Sequence, residues 1–299
     1  MTHTTKNNKK TEKSVAGICQ PAPTHWVGNG FPVQSLLHYG QNYENWNPFL
    51  LLDYAAPHTF EPNPGAPKGV GPHPHKGFET VTIVYHGEVS HRDSSGAGGS
   101  IREGDVQWMT AGGGILHEEF HSPAYSRRGG NFEMVQLWVN LPAKYKQIPA
   151  SYQLLEKKRI PVVELPENAG TLRLIAGKYA GQQGAASTFS EIGLWDLELA
   201  ENASFEFSTS SSHTLLMLIL YGEVELHGAK PAQTGNLVRF AHDGECASVK
   251  NRGSRARLLI LYGEPIPEPI SGYGPFVMNT EAEIRQAFEE FENGKFGTL

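Results

Sequence analysis

An apolar run leading into Tyr85-His86-Gly87-Glu88-Val89 is echoed by another leading into Tyr221-Gly222-Glu223-Val224, with Tyr221 lying 136 residues after Tyr85. A second echo follows each copy in the same order: Gly104-Asp105-Val106 then Trp108, and Gly235-Asn236-Leu237-Val238 then Phe240, each a turn feeding a strand. Such internal duplication indicates one supersecondary module built twice. That module reads as β. The runs Phe78 to Val84, Met134 to Val139, Leu172 to Ala176, Ile192 to Leu199, Leu215 to Tyr221 and Arg257 to Tyr262 are rich in β-branched and aromatic residues and are separated by Gly, Pro, Asn and Asp clusters. The expectation is an all-β chain of two tandem antiparallel β-barrels. Pro161 and Pro166 bracket a connecting segment from Tyr152 to Pro166. The predicted division is a solvated, disordered polar arm over 1–14, an N-terminal domain over 15–155 and a C-terminal domain over 156–299. One helix is predicted, near the end. Thr280 and Glu283 form a capping box, Ile284, Ala287, Phe288 and Phe291 follow at helical spacing, and Asn293-Gly294 stops it.

Composition removes several function classes. With 25 Lys+Arg against 31 Asp+Glu the net charge is −6, so no chain-wide positive field exists to hold nucleic acid directly. Cys19 and Cys246 make no disulfide framework, which fits a reducing, cytoplasmic compartment. Leu215 to Tyr221, the longest apolar run, falls far short of the ~18 residues of a membrane span. Met1 to Ser14 contains no apolar stretch of the kind that directs export. No GxSxG nucleophile elbow is present, and Gly96 to Gly99 lacks the Lys and following helix of a phosphate loop.

Of thirteen histidines, two groups have ligand spacing. His73-Pro74-His75 places imidazoles at i and i+2, on one face of an extended chain, and Pro74 restricts the segment to a strand start or edge. His117-Glu118-Glu119 places His117 and Glu119 on one face in the same way. Either pair alone is more commonly a solvated turn or strand face. Together, in one repeat copy, they supply three imidazoles and a carboxylate, a set suited to Fe(II), Mn(II), Ni(II), Cu(II) or Zn(II) and wrong for calcium. Ala111-Gly112-Gly113-Gly114-Ile115-Leu116 is uncharged and glycine-rich, and is expected to floor the site. Ser90-His91-Arg92-Asp93-Ser94 reads as a polar strand end, with a supporting role beside a ligating imidazole as the lesser alternative. Trp108, Trp138 and Trp195 read as core.

His73-Pro74-His75-Lys76-Gly77-Phe78-Glu79-Thr80, Gln107-Trp108-Met109-Thr110-Ala111-Gly112, Gly114-Ile115-Leu116-His117 and Gln136-Leu137-Trp138-Val139-Asn140-Leu141-Pro142 resemble, in order and spacing, the pirin family of the cupin superfamily. Gly274-Pro275-Phe276-Val277-Met278-Asn279-Thr280 resembles the segment before that family's C-terminal helix. The resemblance implies a bicupin fold with one mononuclear metal, usually iron, in the N-terminal barrel only. It carries the metal ligands onto His73, His75, His117 and Glu119; the generic cupin pattern would instead offer Glu79. The 136-residue offset maps His73 and His75 onto Thr209 and Ser211, and His213 alone cannot hold a metal, so the second barrel is expected to be structural. The activity implied is quercetin 2,3-dioxygenase-type cleavage of a flavonol-like aromatic by dioxygen, with Glu119 as catalytic base as well as ligand. The alternative implied is an iron-bound, redox-sensing regulator that binds a transcription factor or metabolic enzyme without catalysis.

Overall fold

The strand Thr214–Tyr221 is buried at every position but its last and therefore needs cover on both faces. The computed structural model, which describes residues 10–299, shows what supplies it. In the C-terminal half a seven-stranded antiparallel sheet runs in the order Val15–Cys19, Leu237–Phe240, Thr214–Tyr221, Ala256–Gly263, Ile192–Leu199, Gly170–Ala176, Val162–Glu164. The N-terminal half repeats that order with Ser151–Leu155, Val106–Thr110, Phe78–His86, Gly130–Asn140, Phe49–Phe60, Phe31–His38 and His25–Val27. A four-stranded sheet closes each barrel: Gly69–His75, Ile115–His121, Glu88–Asp93 and Gly98–Arg102 in the first, Ser204–Ser208, Cys246–Asn251, Glu223–Leu226 and Ala232–Gln233 in the second. The echoed strings are its turns. Gly87 and Gly222 sit at φ 92° and 90°, and Gly104 and Gly235 both at 85°, a region closed to most side chains.

The two large sheets lie face to face. Val81, Ile83 and Leu137 from one interleave with Leu216, Leu218 and Leu259 from the other in a single core. The opposite face of the C-terminal sheet fills its own barrel with a second apolar core that includes Trp195, Met217 and Ile260. A buried ion pair borders the shared core. Arg257 donates to Asp196 through Nε at 3.0 Å and Nη2 at 2.8 Å, while its guanidinium lies 4.3 Å from the ring centre of Tyr85 in the other barrel.

The chain ends cross over, so the linear division differs from the spatial one. Val15–Cys19 pairs with Leu237–Phe240 and is an edge strand of the C-terminal sheet, not of the N-terminal domain that 15–155 would give it. Residues 1–9 of the polar arm lie outside the described residues, but Lys10 to Ser14 are docked. The fully buried Lys13 donates through Nζ to the carbonyls of Ser211 and Ala241, which satisfies an ammonium that would otherwise keep this stretch in water. The connecting segment is shorter than Tyr152 to Pro166, because Ser151–Leu155 and Val162–Glu164 are taken up as edge strands, one in each large sheet. At the other end, the helix Glu281–Glu292 has its capping box and buries Ile284 and Ala287 against Phe276, Phe296 and Leu116, on the N-terminal barrel. Lys76 Nζ meets Glu290 of that helix at 2.7 Å.

Asp196 is almost fully buried with two arginines, Arg257 and Arg173, directed at it. Asp196→Ala removes the carboxylate both guanidinium groups share and leaves Arg173 with the Gly104 carbonyl and Arg257 with Glu198 at 3.7 Å, and the expected loss is about 3 kcal/mol of unfolding free energy. Denaturant titration of wild type and variant checks this.

Candidate metal centre

The site is built on paired strands. Gly69–His75 and Ile115–His121 run antiparallel with His117 opposite His73 and Ile115 opposite His75, and a bulge falls between His117 and Glu119. Along the second strand Ile115, His117, Glu119 and His121 are buried while Leu116, Glu118 and Phe120 are less so, the alternation expected of a strand with one face in a barrel. The His73, His75 and His117 rings gather with centres 4.2–5.0 Å apart. Candidate ligand atoms form two triads sharing His117, one with His73 and His75 and one with His91 and Glu119, the atoms of each lying within 4.8 Å of one another.

Hydrogen bonds set which nitrogens face the site. His73 Nδ1 lies 2.9 Å from the Gly71 carbonyl, which can only accept, so its proton sits there and Nε2 keeps the lone pair. His75 Nδ1 and His117 Nε2 are buried with no partner among the described residues. Burial, reinforced by the neighbouring imidazoles, drives both His75 and His117 well below the ordinary histidine pKa, so both are neutral with lone pairs available. Glu119 Oε1 accepts from Gln107 Nε2 at 3.1 Å and lies 3.2 Å from the Thr82 hydroxyl. Orphaned imidazole lone pairs beside a carboxylate are what a divalent transition metal satisfies, and the buried His75, His117 and Glu119 with the half-buried His73 make a three-nitrogen, one-oxygen set that fits one.

Glu79 does not join the cluster. It lies three residues before Thr82 on one strand, hence on the opposite face, where Thr110 Oγ1 donates to it at 2.7 Å and burial raises its pKa to about 7. In the second barrel, Cys246–Asn251 holds the rank of Ile115–His121 and carries neither His nor Glu. Thr209 and Ser211 lie beyond the end of Ser204–Ser208. A cavity of about 270 Å³ opens onto His73, His75 and Glu119. Its walls are mostly apolar, including Phe31, Val33, Leu51, Met134 and Trp138, with Asp53 and Gln136 as polar members outside the cluster.

Comparison with known proteins settles the ancestry. Residues 30–139 match the family model Pirin, and residues 194–297 match that of the Pirin C-terminal cupin domain. The chain belongs to the pirin family. A Pseudomonas aeruginosa protein provisionally named a quercetin 2,3-dioxygenase is 49% identical over 284 residues, covering 95% of this chain and 98% of its own. Pirin-like protein 2 of Arabidopsis thaliana is 36% identical over 258 residues, covering 84% of this chain and 76% of its own. The crystal structure of a quercetin 2,3-dioxygenase from Acinetobacter baumannii superposes with a TM-score of 0.92 at 49% identity, covering 96% of this chain and 99% of that one.

Three local expectations change in this pirin-family chain. The segment Ser90 to Ser94 is no mere polar strand end, because His91 and Asp93 are buried beside the cluster. His91 Nε2 donates to Asp93 Oδ2 at 2.9 Å, and its Nδ1 faces His117 Nδ1 at 3.3 Å and Gln107 Nε2 at 3.3 Å. Both nitrogens of His91 are thus engaged, and His117 donates from Nδ1, which leaves His117 Nε2 for an ion. The i, i+2 spacing of His91 and Asp93 carried the signal, masked by the exposed Arg92 and the glycines that follow. The glycine-rich Ala111 to Leu116 does not floor the site. A Cβ on Gly112 would lie 2.3 Å from the Ile148 carbonyl oxygen and one on Gly114 2.2 Å from the Phe296 ring, so these glycines admit neighbouring segments. Trp108 and Trp195 are core as expected, but Trp138 lines the cavity, with its ring centre 5.2 Å from that of His75.

Burial pushes Asp93 up, yet hydrogen bonds from His91 and Ser95 outweigh it and hold the carboxyl below its usual pKa. Asp93→Ala therefore frees His91 and with it the tautomer of His117. Affinity for a divalent metal, measured by isothermal titration, is expected to fall about 10–100-fold.

Proposed function

We propose that this chain is a metal-dependent dioxygenase that opens the central ring of a flavonol-like aromatic, with His73, His75, His117 and Glu119 holding one Fe(II). The observation that carries the reading is the pairing of a buried His/Glu cluster with an apolar cavity. A regulator read through its metal would want that metal near the surface, whereas His75, His117 and Glu119 are each less than a tenth exposed. The 49% identical Pseudomonas and Acinetobacter proteins, both named for quercetin 2,3-dioxygenase, support the same substrate class. Cys19 and Cys246 are both free, consistent with a cytoplasmic setting.

When bound, a divalent iron supplies Lewis acidity toward the substrate's enol and carbonyl oxygens and lets dioxygen react with the activated ring. The chain's residues do the rest. Phe31, Val33, Leu51, Met134 and Trp138 take up a flat aromatic and exclude water. Gln107 and Thr82 engage Glu119 Oε1, which orients the carboxylate and leaves Oε2 to serve in turn as metal ligand and as acceptor for the enol proton. Loss of that proton primes the substrate, dioxygen adds, and the ring opens with release of carbon monoxide.

The test is anaerobic purification, metal content by mass spectrometry, and oxygen uptake with quercetin for wild type, His117→Ala and Glu119→Gln. Wild type is expected to hold one metal per chain and to turn over. His117→Ala is expected to lose metal and activity, and Glu119→Gln to lose activity by about 100-fold or more. Stoichiometric metal without quercetin turnover overturns the dioxygenase reading, and wild-type metal content in both variants overturns the ligand assignment.

A further inference from the structure

Ser35, Asp53, Gln136, Thr82 and Gln107 stand opposite one another in register across five neighbouring strands of the N-terminal large sheet. The row faces into the barrel, since Thr82 and Gln107 reach Glu119 while Asp53 and Gln136 line the cavity. At the same ranks in the C-terminal sheet, also in register, stand Leu174, Trp195, Ile260, Met217 and Val238, all part of that barrel's core. The fold therefore does not require polar groups here, and burying them is costly unless they are used.

Glu119 accounts for one end of the row. Asp53 at the other is not accounted for. Asp53 is 7% exposed, its one hydrogen bond among the described residues comes from Ser35 Oγ to Oδ1 at 2.5 Å, and no Lys or Arg among those residues pairs with it. Burial raises its pKa, opposed by the Ser35 hydrogen bond and by His25 and His38.

Resting on the dioxygenase reading, we infer that Asp53 is a specificity-determining residue whose second oxygen accepts a hydrogen bond from a hydroxyl on the substrate ring remote from the metal. Asp53 is two strands from Thr82, so at ~4.8 Å per strand the row separates it from the Glu119 end by ~10 Å. A molecule with a chelating oxygen pair on one ring system and a hydroxyl on another spans that interval; a single ring does not. An ionised carboxylate only accepts, so it selects a phenol over a methyl ether.

The experiment is anaerobic titration of the metal-loaded protein, followed by tryptophan fluorescence, with quercetin and with 3-hydroxyflavone, which chelates but has no hydroxyl on its pendant ring. Wild type is expected to bind quercetin about tenfold or more tightly than 3-hydroxyflavone. Asp53→Ala is expected to erase that gap and leave 3-hydroxyflavone within about twofold of wild type, with Asp53→Leu, similar in size and without an acceptor, as a second variant should the alanine protein not fold. Equal wild-type affinity for the two, or a quercetin preference that survives in the variants, overturns the role of Asp53 while leaving the dioxygenase reading intact. If wild type binds neither flavonol, both fall together.

Discussion

The contact between the two seven-stranded sheets is the constraint on which the other features depend. Each large sheet is covered on its outer face by the other barrel, through a single apolar core drawn from both halves. Nonpolar burial of this kind is the dominant favourable term in folding. With so much of it placed between the barrels, the interior of either one is released from having to be wholly apolar. The chain ends strengthen the same arrangement by crossing over: the first strand completes the C-terminal sheet, and the terminal helix covers the N-terminal barrel behind the strand that carries His117 and Glu119.

The two interiors then diverge. In the second barrel the inward positions are filled by Leu174, Trp195, Met217, Val238 and Ile260, and the result is another core. In the first, the same ranks carry polar side chains, the facing small sheet carries imidazoles, and an apolar cavity lies beside them. A buried polar cluster is stable only if its members satisfy one another. Here Asp93 orders His91, His91 orders His117, and Gln107 and Thr82 order Glu119, so within the cluster the imidazole nitrogens His75 Nδ1 and His117 Nε2 are the ones left buried without a partner among the described residues. Duplication thus yields one barrel whose interior holds the molecule together and one whose interior is free for chemistry.

Much of this was legible in the chain because it is local. Strand alternation places His73 with His75 and His117 with Glu119; Thr280 and Glu283 mark the helix start; Tyr85 and Tyr221 with their following glycines mark the duplication. His91 and Asp53 were not legible in the same way. An i, i+2 pair such as His91 and Asp93 looks alike whether its strand faces water or a barrel, and a lone aspartate in an apolar strand gives no sign of what stands across from it. Glu79 shows the converse, since only its strand parity relative to Thr82 turns it away from the cluster.

The sequence by itself determined the strands, the duplicated module, the terminal helix and the residues that share a strand face, because each depends on side-chain period and turn chemistry over a few residues. Tertiary structure alone decided which sheet each chain end joins, that Asp93 and His91 stand across from His117 and Glu119, and which polar side chains line up across five strands. Those outcomes depend on pairing between segments far apart in the chain, where register rather than local pattern sets which atoms meet.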